Sequence, residues 1–291
     1  MAEFNLQTKV LKAKPYSIEI SVGLPLYLSK NSYWIALEGL SNQKELSTNW
    51  ELIVAEEQIN QIGLQNLSYY KKKLVNAGCC QIKYIALDQW VPLSKKWEIM
   101  GQMTALTSKV FILQAADDYS DSYRLKNTYD YIVNDNADWV QSKQGLFYNI
   151  ENQKVVLFDY DSYPKKHITG ISLAVKTQYI RSLSNLPEYP KRVVDAWLFR
   201  SCQAAKGKNL NVVWNIKSHP YDSLFTNGFN HISTKRGTMM NNPRPPFRQC
   251  EVDLSQHFPE DFLKKLINAK SKLQINSVSL GQSGQQLSNV I

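Results

Sequence analysis

The stretch Lys109-Val-Phe-Ile-Leu-Gln-Ala-Ala-Asp-Asp-Tyr-Ser120 decides the fold. Val110 to Leu113 is a short apolar run of strand length, and it gives way without a break to a polar loop carrying two adjacent carboxylates, Asp117 and Asp118. A helical segment containing Tyr123-Arg-Leu125 follows. Outward toward the N-terminus the same grammar repeats. Ser17-Ile-Glu-Ile-Ser-Val-Gly-Leu24 alternates like a strand and stops at Pro25, after which Ser32 to Leu40 has helical spacing. Trp50-Glu-Leu-Ile-Val-Ala55 reads as a buried strand ending in Glu56-Glu57, and Leu64 to Ala77 as a helix closed by Gly78. Ile82 to Leu87 is a third strand and Leu93 to Ser108 a third helical segment. Strands that alternate with helices imply an α/β domain built on a parallel sheet with right-handed crossovers.

In such open sheets ligands bind beyond the carboxyl ends of the strands, where loops and helix N-termini converge. Three of these strands end in notable residues: Pro25-Leu-Tyr27, Glu56-Glu57 and Asp117-Asp118. From about residue 145 the pattern becomes less regular. Short strands are expected at Gly145 to Asn149, Lys154 to Phe158, Gly170 to Val175 and Asn211 to Ile216, with a loop feeding a helix over Tyr189 to Arg200. Residues 1–145, 146–270 and 271–291 therefore divide into a first half, a second half of the same domain, and a Gln/Ser-rich tail or arm.

Composition narrows the classes. The 291 residues are 43% hydrophobic and 20% charged, with enough Trp, Tyr and Phe for a sizeable core, which excludes wholesale disorder. No apolar run reaches membrane-spanning length, and the start Met-Ala-Glu-Phe lacks a signal-peptide layout. The expectation is a protein without a transmembrane segment, in the cytoplasm of the producing cell or of an infected host. The four cysteines fit neither a disulfide framework nor a C-x-x-C metal site, so they read as buried, reduced thiols. Trp197 and Trp214 are expected in the core. A Gly-rich phosphate fingerprint, a Walker loop, H-E-x-x-H and G-x-S-x-G are all missing, which weighs against the nicotinamide Rossmann enzymes, P-loop nucleotidases, zincins and serine hydrolases.

Charge is unevenly placed. Residues 1–160 carry 16 Lys and Arg against 17 Asp and Glu, whereas residues 161–291 carry 18 against 8. The second half is the part suited to a polyanion. Two carboxylates on a loop at a strand's C-terminal end suit a hard divalent cation that also holds a diphosphate, because hard cations prefer oxygen ligands. An Asp-capped surface turn is the plainer reading of the same pair.

The order of these segments resembles a known family. Ser21-Val-Gly-Leu-Pro-Leu-Tyr27, Leu37-Glu-Gly-Leu-Ser-Asn-Gln43, Trp50 to Glu57 and Val110 to Ser120 look like successive landmarks of family 2 nucleotide-sugar glycosyltransferases. Thr169 to Val175 resembles that family's acceptor-side strand, and Val193-Val-Asp-Ala-Trp-Leu198 its acidic catalytic-base motif. The resemblance covers roughly residues 17–236. It implies a GT-A, Rossmann-like fold, a mainly parallel twisted sheet flanked by helices with a less regular acceptor-binding C-terminal half.

It further implies that Pro25 and Tyr27 shape the nucleotide pocket and that Glu57, or Glu56, faces the base and ribose. Asp117 would bind Mn²⁺ or Mg²⁺, Asp118 would assist, and Asp195 would be the general base of an inverting transfer. Where the family usually has Asp-x-Asp, the first position here is Ala115. His219 and His231 are further candidates for the metal or diphosphate. Lys235 and Arg236, in a Gly-containing loop with His231, suit a diphosphate. The donor would be a nucleotide diphosphate sugar, UDP-linked by preference. The acceptor would be anionic, either DNA bearing a hydroxymethylated base or a charged surface glycan or lipid carrier. An inactive relative that keeps the fold and binds nucleic acid is the alternative.

Overall fold

The computed structural model describes residues 6–12, 17–26, 33–57, 62–142, 144–149, 155–159, 173–183, 194–207, 209–215, 223–227, 247–249, 251–256 and 258–268. Four parallel strands form its centre: β2 (Ile18–Pro25), β3 (Asn49–Glu57), β4 (Cys79–Leu87) and β5 (Val110–Leu113). β1 (Leu6–Lys12) adds an antiparallel edge beside β4. On the far side lie β10 (Ala174–Lys176), β7 (Trp139–Ser142) and β11 (Val212–Asn215), giving the order β1-β4-β3-β2-β5-β10-β7-β11. β10 is antiparallel to both neighbours, so β7 and β11 run in the direction of β5. A second sheet has the order β13-β9-β8-β12-β6, from β13 (Phe247–Gln249), β9 (Val155–Asp159), β8 (Gln144–Asn149), β12 (Ser223–Asn227) and β6 (Asp118–Ser120).

The central strands are apolar throughout because both faces are covered, and alternate residues feed two separate cores. Leu52 and Val54 of β3, Ile82 and Tyr84 of β4, and Val110 and Ile112 of β5 join one cluster with α1 (Tyr33–Ser41) and α2 (Ile62–Asn76). Ile53 and Ala55, Ile85 and Leu87, and Phe111 and Leu113 face the other way, onto α3 (Leu93–Gln102), α5 (Thr177–Arg181) and α6 (Val194–Lys206). Helix, sheet and helix therefore form three layers. After β6 comes α4 (Arg124–Tyr129), continued by a π-helical turn, Asp130–Asn134. A third cluster joins Ile35 of α1, Tyr119 of β6 and Leu146 of β8 to Phe258, Phe262 and Leu266, the last two in α7 (260–268). Lys265 and Tyr70 both bond the buried Glu38 carboxylate, so α7 returns to the N-terminal layer and is tied there.

The structure differs from the sequence reading at several points. β1 was not expected, because its polar composition is that of an edge, exposed at Thr8, Lys9 and Val10. α3 stops at Gln102 rather than Ser108, since the amide of Ala105 donates to the buried Glu51 carboxylate (2.6 Å), Lys83 Nζ donates to the Met103 carbonyl (2.6 Å) and Arg181 bonds Thr104. These tertiary bonds outcompete another helical turn. Trp197 is 39% exposed rather than part of the core, and the Arg200 guanidinium sits 5.7 Å from its ring. The Trp214 side chain and Cys250 lie outside the described residues. Cys79, Cys80 and Cys202 are buried thiols, as expected.

Candidate functional site

β3, β2 and β5 are neighbours in the sheet, and their C-terminal ends deliver Glu56 and Glu57, Pro25, and the Asp117–Asp118 turn to a single edge. From β3 to β5 is two strand spacings, about 10 Å, which is the scale of a nucleotide. Leu26 continues from Pro25 and donates its amide to the Ala55 carbonyl (2.8 Å), locking the two strand ends together. Tyr27, His219, His231, Lys235 and Arg236 lie outside the described residues.

Glu56 and Glu57 are nearly closed off from water. The Tyr84 hydroxyl donates to Glu56 Oε2 at 2.7 Å. Lys96 of α3, 1% exposed, places Nζ 2.6 Å from Glu57 Oε1 and donates to the Leu26 carbonyl. Burial pushes the Lys96 ammonium below its usual range, and Glu57 and then Glu56 oppose that shift. Glu57 Oε2 is buried and takes no hydrogen bond among the described residues. A buried carboxylate oxygen left open at the ligand-binding edge of an α/β sheet is an acceptor held ready for a donor group.

On the β5 side, Asp117 and Asp118 are half-buried on the turn that leads into β6, and Ala115 is exposed. The turn is fixed from beneath. Gln114 Nε2 donates to the carbonyls of Ala115 (2.9 Å) and Asp118 (2.6 Å), while Arg124 Nη2 donates to the Leu113 carbonyl (2.8 Å).

Asp195 comes from another layer. It sits half-buried in the first turn of α6, and the Ala196 amide donates to its Oδ1 at 3.0 Å. Lys206, at the other end of α6, is ion-paired with Asp138, which immediately precedes β7 at the N-terminal edge of the sheet. α6 therefore climbs antiparallel to β7. Eleven residues at 1.5 Å each carry Asp195 about 16 Å from Lys206, toward the edge that holds Glu57 and Asp117.

Lys96, Gln114 and Arg124 were not singled out from sequence. Lys96 stands beside Lys95 and resembles an ordinary solvated pair; only its distant partner on β3 reveals its burial. Arg124 carries a weak signal, since it falls one helical turn after Ser120 and beside the acidic loop.

No protein-family model matches the chain, and no curated protein sequence matches it. Solved structures do share its fold. TarS 1-349 from S. aureus, in complex with UDP-GlcNAc, superposes with a TM-score of 0.55 at 14% identity, over 72% of this chain and 59% of that one. A second TarS 1-349 structure gives 0.53 at 15% identity, over 72% and 60%. The mannosyltransferase PcManGT from Pyrobaculum calidifontis, in complex with GDP-Man and Mn²⁺, gives 0.53 at 8% identity, over 96% and 80%. The chain thus spans about 60% of the TarS 1-349 structures. Its fold is the GT-A fold of nucleotide-sugar glycosyltransferases. Among the described residues, no helix is long and apolar enough to cross a membrane.

Proposed function

We propose that the protein is a metal-assisted, inverting glycosyltransferase that moves a sugar from a nucleotide diphosphate sugar to an acceptor hydroxyl. The observation that carries this reading is the shared edge itself. Glu57, with an open acceptor oxygen, ends β3, and the Asp117–Asp118 turn follows β5, two strands away on the GT-A fold. An open carboxylate oxygen accepts the imino N–H of uracil or guanine, whereas cytosine and adenine offer a lone pair at the equivalent ring nitrogen. UDP- and GDP-linked donors fit; a UDP-sugar is preferred, as the TarS complex with UDP-GlcNAc encourages. Pro25 and Tyr27 would flank the nucleotide, with Glu56 toward the ribose.

Asp117 and Asp118 fit a hard cation. Among the described residues no group of three or more His, Cys, Asp and Glu converges, so the two carboxylates would supply part of the oxygen shell and phosphate oxygens the rest. Bound Mn²⁺ or Mg²⁺ would neutralise charge on the departing diphosphate. His219, His231, Lys235 and Arg236 are retained as further contacts to metal or diphosphate. Asp195 would accept the acceptor hydroxyl's proton as that oxygen attacks the anomeric carbon, and its place in the first turn of α6 favours the ionised carboxylate this requires.

The excess of basic residues after residue 160 supports an anionic acceptor. Hydroxymethylated-base DNA and a charged glycan or lipid carrier separate by salt: affinity for DNA falls steeply with ionic strength. The exposed Ala115, in the place of a family Asp, favours one second reading, a nucleic-acid-binding protein on an inactive transferase fold. A Mn²⁺-dependent hydrolysis screen over UDP-, GDP- and TDP-sugars tests the two. Metal-dependent donor turnover, weakened by Asp195→Asn, supports the transferase; salt-sensitive DNA binding with no donor turnover supports the second reading.

A further inference from the structure

The geometry points to Gln114 and Arg124 as positioning residues that set the Asp117–Asp118 turn in the shape a divalent cation requires, an inference that rests on the transferase reading above. Three buried side chains form one connected unit behind the turn. Gln114 is 1% exposed, Ser120 0% and Arg124 3%. Arg124 Nη1 donates to Gln114 Oε1 (2.6 Å) and to Ser120 Oγ (2.7 Å), and the Ser120 hydroxyl itself donates to Gln114 Oε1.

With its oxygen held by two donors, the Gln114 amide cannot flip. Its Nε2 must therefore point at the Ala115 and Asp118 carbonyls, the two ends of the acidic turn. Arg124 Nη2 anchors the strand end before the turn through the Leu113 carbonyl, and the Gln114 backbone N–H donates to the Gly23 carbonyl (2.9 Å) on β2. A second amide continues the frame: Gln43 Nε2 donates to the Asp121 carbonyl (2.6 Å), and its Oε1 accepts from the Leu125 amide (3.0 Å).

Every one of these bonds reaches the turn from its buried side and ends on backbone or on a neutral side chain. Asp117 and Asp118 are half-buried, and none of these bonds is made to their carboxylates. Groups behind metal ligands that fix ligand orientation typically change metal affinity 10- to 100-fold when removed. The arrangement gives Gln114 and Arg124 that role with no contact of their own to the cation.

Gln114→Glu separates positioning from folding. It keeps an acceptor for Arg124 and Ser120 but removes both Nε2 donors to the turn. Arg124→Lys keeps the charge and loses the fork. Mn²⁺ affinity would be measured by electron paramagnetic resonance of free Mn²⁺ in the presence of UDP, with UDP binding in EDTA and the melting temperature followed in parallel. Lys83→Met, which breaks the buried ion pair between Lys83 of β4 and Glu51 of β3, serves as the destabilised control.

The expected result is at least a tenfold loss of Mn²⁺ affinity in Gln114→Glu and Arg124→Lys, with metal-free UDP binding kept and with donor turnover rescued by saturating Mn²⁺. The control should melt earlier with unchanged Mn²⁺ affinity. Unchanged Mn²⁺ affinity in both variants, or a loss matched by the control, would overturn the inference alone. A wild-type protein that binds no Mn²⁺ with UDP would overturn the transferase reading beneath it.

Discussion

Lys96 Nζ lies 2.6 Å from Glu57 Oε1, and both side chains are buried, so a charge pair closes the β3 end of the ligand-binding edge. Burying such a pair gains little stability on balance, but removing one partner strands the other charge. Lys96→Met should therefore lower the unfolding free energy by about 3–5 kcal/mol. The double variant Lys96→Met/Glu57→Leu should recover most of that loss, while its affinity for UDP falls at least tenfold because the open acceptor is gone. Urea denaturation and calorimetric titration of UDP read the two effects separately. A double variant that binds UDP as the wild type does would remove Glu57 from base recognition.

Asp195→Asn removes the proton acceptor and keeps its size. Donor turnover should fall by about 10²- to 10⁴-fold, with donor affinity within a factor of about three, since general-base catalysis acts on the transition state. Initial rates and equilibrium binding on the same preparation make the comparison. Equal loss of rate and affinity would mean that Asp195 shapes the donor pocket instead.

Asp138 anchors the opposite end of α6. Burial alone would raise its carboxyl, but Lys206, the Asn211 amide, Lys176 and the Tyr179 hydroxyl outweigh it and hold the group down at about 2. A carboxyl depressed in the folded state stabilises fully above its unfolded value near 4, and that contribution is lost as pH falls from about 4 toward 2. The difference of nearly two units corresponds to roughly 2 kcal/mol. Asp138→Asn should be destabilised at pH 7 and should show a shallower loss of stability between pH 4 and 2 than the wild type. Parallel acid-dependent slopes for the two proteins would refute this role.

Gly39 is required by contact, not by backbone angle. A Cβ there would come within 2.8 Å of the Ser120 carbonyl oxygen and nearer still to its amide nitrogen. α1 thus lies directly against β6, whose first residue is Asp118. Gly39→Ala must push the two apart and should cost about 1–3 kcal/mol, visible as a lowered melting temperature. An unchanged melt would show that the contact relaxes freely.

The central sheet was legible in sequence because strands buried on both faces leave short apolar runs, and Gly78, with φ +89°, closes α2 where the sequence placed the stop. The placement of Asp117 and Asp118 after a strand and of Asp195 at a helix start was legible for the same reason of regular patterning. β1 was not, because an exposed edge needs no apolar pattern. Nor were Lys96 and Arg124, whose importance lies in partners distant in sequence or in backbone carbonyls that carry no residue code. The antiparallel insertion of β10 between β5 and β7 likewise depends on pairings between distant segments.

The most direct test of the functional assignment is calorimetric titration of UDP and GDP into the wild-type protein and Asp117→Ala, with Mn²⁺ and again with EDTA. The expected result is binding by the wild type that Mn²⁺ strengthens at least tenfold, and an Asp117→Ala protein that binds equally well with and without the metal. No binding of either nucleotide, or metal-strengthened binding that survives intact in Asp117→Ala, would contradict the assignment.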